Sequence, residues 1–132
     1  MMKSILRSHK DVEYTSVMWR ESQVMPGIQF AVRRPSLAQR IDLLERARAL
    51  ALKQEFLKAG DESDQLAASL NDLLVRRLYL EWGLMEVKGL KIDGVRATIP
   101  DLIQQGPEEL LNEVIEAIKN ECGLSENERK NY

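Results

Sequence analysis

From Leu37 to Lys58, and again from Asp61 to Trp82, the chain contains neither proline nor glycine, and only Ala59 and Gly60 separate the two runs. No other feature restricts the fold as strongly. Ser36 followed by Gln39 forms a capping box at the head of the first run. Pro35 disfavours helical backbone at Arg34, which sharpens that boundary. Gly60 provides the stop. The second run, from about Ser63 to Trp82, can be capped by Asp61 or Ser63 and is closed by Gly83. A link of about four residues between two helices makes them antiparallel neighbours, an αα-hairpin.

At ~100° per residue, Leu37, Ile41, Leu43, Leu44, Ala47, Leu50, Ala51 and Leu57 cover more than half the wheel of the first helix. So wide an apolar arc predicts packing on more than one side. Leu66, Leu70, Leu73, Leu74 and Leu80 form the stripe of the second helix. Charged residues fall inside both arcs: Arg40, Arg48 and Glu55 in the first, Arg77 and Glu81 in the second. Folding about Gly60 brings Arg40 opposite Glu81, an expected interhelix ion pair at the edge of the core. The alternative is that these charges line a groove open to a partner.

The flanking segments predict short strands and further helices, hence a mainly α (α+β) fold. Residues 1–12 read as a flexible arm and 13–132 as one domain. Within 13–34, the runs Val12–Trp19 and Ile28–Val32, with Pro26-Gly27 between them, suit a β-hairpin. After the helical hairpin (36–83), Leu84–Lys88, Leu90–Ile92 and Val95–Thr98 around Asp93-Gly94 suggest a second small β-hairpin over 84–98. Residues 99–132 hold C-terminal helices. Thr98 and Pro100 open one, and Gly106-Pro107-Glu108-Glu109 opens another with face Leu110, Leu111, Val114, Ile115 and Ile118. Gly123 stops it. Ser125 with Glu128 is a further capping box for a last short helix.

Reactive constellations are scarce. His9 is the sole histidine and Cys122 the sole cysteine, too few for a Cys-His pair held by packing or for a zinc site. Cys122 precedes Gly123 at a helix C-terminus, where the dipole disfavours a thiolate. Asp61-Glu62-Ser63-Asp64 lacks the spacing of a calcium loop, and no phosphate-cradling glycine motif is present. No cofactor, metal or catalytic residue is therefore expected. A lone cysteine excludes an internal disulfide and fits a reducing compartment. With no apolar run near the ~20 residues a bilayer demands and no signal segment, no membrane partner is expected and a cytoplasmic location is. The first 34 residues hold six Lys/Arg against three Asp/Glu. Tyr14, Trp19 and Phe30 are interleaved with Arg20, Arg33 and Arg34, a weak match to a nucleic-acid platform, and a net charge of −2 argues against that class.

The segments Glu81-Trp82-Gly83-Leu84, Gly89-Leu90-Lys91-Ile92-Asp93-Gly94 and Gly106-Pro107-Glu108-Glu109-Leu110 lead to a closing run, Leu124-Ser125-Glu126-Asn127-Glu128-Arg129-Lys130-Asn131. From about residue 27 onward the chain resembles the tail assembly chaperones of tailed phages and prophages; residues 1–26 add nothing to the match. The resemblance implies a non-enzymatic factor in a bacterial host that engages the tape-measure protein, the tail-tube protein, or both. Candidate contacts for such a client are Leu84, Met85, Val87, Leu90, Ile92 and Val95, together with the outer side of Leu37–Leu57. Competing expectations are a homo-oligomeric tail-completion or connector subunit, and a nucleic-acid regulator using the basic N-terminal residues.

Overall fold

The computed structural model describes residues 10–58 and 60–124. In chain order the elements are β1 (Val17–Glu21), β2 (Gln29–Arg33), α1 (Leu37–Lys58), α2 (Glu62–Gly83), β3 (Leu84–Lys88), β4 (Lys91–Ile92), β5 (Val95–Arg96), α3 (Ile99–Gln105) and α4 (Glu108–Glu121). The fold is mixed α+β, with helix predominating.

The helix ends fall where local chemistry places them. The Ser36 N–H donates to Gln39 Oε1 at 3.0 Å while the Gln39 N–H donates to Ser36 Oγ at 3.2 Å. Asp61 accepts the Asp64 N–H at 3.0 Å, and Thr98 with Asp101 closes a second reciprocal box. The capping box expected at Ser125 and Glu128, like His9, lies outside the described residues.

The strands depart from their expected limits in two places. The first strand begins at Val17 rather than Val12. Its register runs from Val17 opposite Arg33 to Glu21 opposite Gln29. Pro35 follows closely on the far side, so β2 offers nothing for residues 12–15 to pair with. Leu84–Lys88, expected to fold onto residues 90–98, instead pairs antiparallel with β2 as the third strand of a β1-β2-β3 sheet. Only β4 and β5 form the local hairpin, turned by Asp93 and Gly94, both at positive φ. A local turn signal says nothing about a partner more than fifty residues upstream.

The core lies between the sheet and α4. Ile28, Phe30, Val32 and Leu84 meet Leu110, Val114, Ile115 and Ile118, with Tyr79 and Leu80 from α2 and Leu102 from α3 beside them. The handover from α2 to β3 uses no connecting residue. A Cβ on Gly83 would fall 2.7 Å from three side-chain atoms of Ile118, so only glycine lets α4 approach. Arg33 holds the same corner: its Nε donates to the Trp82 carbonyl at 2.9 Å, and its guanidinium lies 5.0 Å from the centroid of the Trp82 ring.

The β1–β2 turn is fastened to α4 by Glu113. Its carboxylate accepts the Ser22 hydroxyl at 2.6 Å and the Gln23 N–H at 2.7 Å, and Ser22 Oγ in turn accepts the Met25 N–H at 2.9 Å. Ser22 is buried, so removing the acceptor strands a donor away from water. Glu113→Ala is expected to cost about 1–3 kcal/mol in urea unfolding, and Glu113→Gln, which keeps one acceptor oxygen, clearly less. Equal losses in the two variants would show that the hydrogen bonds are not the cause.

Candidate protein-binding surface

Each helix of the hairpin is 22 residues long, and at 1.5 Å per residue each spans about 33 Å. The 14-residue α4 reaches about 21 Å. The C-terminal helices therefore cannot cover the whole hairpin. The last α1 residue packed against the core is Ala47, and the first of α2 is Val75. Beyond those residues the two helices project as an arm and pack mainly on each other. Within it, buried Asn71 donates from its side chain to the Leu50 carbonyl, tying the two helices together.

The hairpin, both at its root and along the arm, keeps apolar side chains that the other described residues leave exposed. On α1, Leu43 is buried while Ala47, Leu50 and Leu57 are half-buried, forming the face toward α2. Leu37, Ile41 and Leu44 lie on a different face and are exposed, Leu37 to 76%. Leu52 and Phe56 add to the exposed set toward the tip, Phe56 at 84%. On α2, Leu66, Leu70 and Leu73 are exposed at 68%, 59% and 54%. Each stripe follows the same spacing, i, i+4, i+7, and ends four residues later on an exposed arginine, Arg48 or Arg77. The α2 stripe runs into a groove of about 240 Å³ where Leu74, Leu80, Ile103 and Leu111 form an apolar floor and Arg76, Arg77 and Glu108 stand at its rim. Arg76 bonds Glu108 at 3.2 Å and also donates to Asn112, fixing one wall of the groove.

The residues singled out from the sequence are placed unevenly. Leu84 is buried in the core and is not available to a partner, because β3 joins the central sheet. Val87, Leu90 and Ile92 are half-buried, the first two packed against the core. Only Met85, at 42%, and Val95, at 68%, stand out in solvent from this set. The expected pair of Arg40 with Glu81 is not formed. Glu81 bonds Arg77 one turn away at 3.5 Å and borders a cleft with Ile99, Pro100 and Ile103 of α3. Arg40 instead lies near Cys122 at the end of α4. Glu81 thus sits on the side of α2 that borders α3.

The stripe Leu66–Leu70–Leu73 reads from the sequence as core, and periodicity alone cannot correct that. The usable signal was length: two long helices predicted beside much shorter ones leave part of the hairpin uncovered. The aromatic platform dissolves in a similar way. Phe30 is buried, Arg20 is 3.6 Å from Glu121, and Lys88 caps the Trp19 ring at 4.4 Å.

Among the described residues, no group of three or more His, Cys, Asp or Glu is placed to hold a metal ion, and no helix is long and apolar enough to cross a membrane. Cys122 is buried, and burial pushes its thiol up to about 11; the Arg40 charge opposes the shift and Glu121 adds to it. A folded pKa above the unfolded value of 9.0 means that the native state holds the proton more tightly. This contribution to stability is complete below pH 9 and disappears as the pH climbs through 11. In native buffer at pH 8, Cys122 is expected to react with a disulfide reagent far more slowly than in denaturant. The urea midpoint should also fall more steeply above pH 9 in the wild type than in Cys122→Ala. Parallel midpoint curves would disprove the shift.

Together these features define an α+β domain that carries a projecting helical arm with uncovered apolar flanks. No protein-family model, curated protein or solved structure matches the chain.

Proposed function

We infer that this protein is a non-enzymatic assembly chaperone, which takes an amphipathic helix of a phage tail protein onto the exposed flank of its α1–α2 arm in the cytoplasm of a bacterial host. The observation that carries this reading is the uncovered stripe Leu66, Leu70 and Leu73 running into the apolar groove against α3 and α4. Its i, i+4, i+7 spacing is that of a helix face laid against another helix. A soluble chain that leaves so many leucines bare on one arm has surface to spare for a guest. The resemblance of the segments after residue 27 to tail assembly chaperones names the guest: a tape-measure protein, long and helical, or the tail-tube protein.

The test is co-expression with a tagged tape-measure protein and, separately, a tagged tail-tube protein from the same genetic module, followed by affinity purification and light scattering. Stoichiometric co-elution with either supports the reading. Failure to bind both, with a stable ring in the absence of any client, would assign the protein to tail completion as a structural subunit instead.

A further inference from the structure

A second candidate site lies away from the arm, in a cleft of about 610 Å³ lined by Glu86, Val87, Lys88, Gly89, Leu90, Lys91 and Arg96. Three of the lining residues, Glu86, Val87 and Lys88, are consecutive in β3. Successive side chains of a strand point to opposite faces, so a cleft touching three in a row lies against the strand's edge. Among the described residues that edge is free: β3 ends the β1-β2-β3 sheet and pairs only with β2. A free edge presents unpaired N–H and C=O groups, a template for one more strand.

The opposite wall is cationic. Lys91 and Arg96 sit directly across from each other in the β4–β5 ladder. Like charges in that position repel, and the hairpin is too short to dilute the cost. Neither residue forms an ion pair with another described residue, whereas Glu86, the one carboxylate in the cleft, is already 3.7 Å from Lys88. Val87 and Leu90, both half-buried, supply apolar surface between edge and cations. Backbone groups along one side, an apolar middle and unmatched positive charge opposite describe a receptor for an extended chain that alternates acidic and apolar residues.

We propose that this cleft receives an extended acidic segment of a partner protein, which adds to the sheet as a fourth strand beside β3 with its carboxylates on Lys91 and Arg96. The site is separate from the helical arm and does not depend on it.

The probe is a short synthetic peptide alternating Glu and Val, titrated into the isotopically labelled full chain and followed by NMR. The expected result is saturable binding that weakens with salt, with shifts and slowed amide exchange confined to residues 86–91 and 95–96. The double variant Lys91→Glu/Arg96→Glu, altered only at exposed positions, should weaken binding by at least about tenfold while leaving the rest of the spectrum in place. Lys91→Glu alone creates an opposite-charge cross-strand pair and is expected to tighten the hairpin while also losing the peptide. Three outcomes would overturn the proposal. They are no binding of the peptide, binding unchanged in the double variant, and binding of a single-stranded oligothymidylate in preference to the peptide, which would make the cleft a phosphate site.

Discussion

Replacing Leu66, Leu70 and Leu73 together by glutamate is expected to abolish client binding while leaving the protein folded. All three side chains are more than half exposed, so the free protein loses little burial, and glutamate is as good a helix former as leucine to within a few tenths of a kcal/mol. Surface changes of this kind stay within about 0.5 kcal/mol each. In the complex the same positions would be anchors. Two anchors worth about 2 kcal/mol each already correspond to a loss of several-hundred-fold, before the cost of burying a carboxylate is added. The measurement is co-purification with the tape-measure or tail-tube protein, alongside a thermal melt that should move by no more than about 5 °C. Met85→Glu/Val95→Glu serves as the counterpart, since those residues are the exposed members of the 84–95 set. If that pair abolishes binding and the triple variant does not, the client sits on the sheet side and the arm reading is wrong.

The second large effect concerns the two phenylalanines. Phe30 is 1% exposed at the centre of the sheet, facing α4, whereas Phe56 is 84% exposed near the tip of the arm. Phe30→Ala removes a packed ring and leaves a hole that strand neighbours cannot close, at a cost of about 3–5 kcal/mol. For a chain of 132 residues that is a large share of the total stability. The unfolding midpoint is expected to fall by roughly 10–20 °C. Phe56→Ala should move it by only a degree or two. A large loss on truncating Phe56 would mean that the ring is covered in solution, by a second copy of the chain or by residues outside those described. Concentration-dependent melting would then separate the two cases.

The helices were legible because their signals are local. Ser36 with Gln39, Asp61 with Asp64, and Thr98 with Asp101 each close a hydrogen-bonded cap within one turn; the sequence offered the first as a pair, Asp61 or Ser63 for the second, and Thr98 without its Asp101 partner for the third. What lay beyond local reading was partnership. Leu84–Lys88 carries strand character, but its partner Gln29–Arg33 lies on the other side of the helical hairpin, and no turn dipeptide points to it. The wide arc of α1 predicted packing on more than one side, but Leu37, Ile41 and Leu44 are exposed, because periodicity cannot say whether an apolar face meets the core or solvent. Arg40 and Glu81 failed for a related reason. Glu81 borders α3 and bonds Arg77, and the side of α2 that meets α3 and α4 is something an αα-hairpin drawn alone leaves out. The candidate surface on the arm was half visible, in the outer side of Leu37–Leu57, and half mistaken for core, in Leu66, Leu70 and Leu73.

The direct passage from Gly83 into Leu84 has a mechanical meaning. With no slack residue between helix and strand, and with Ile118 seated against Gly83, α2 has no joint where it enters β3. The direction of α2 is thereby tied to that of the sheet. On the proposed reading, a visiting helix would meet leucines carried on a helix whose direction is already fixed, and little of the contact energy would be spent on orienting that helix.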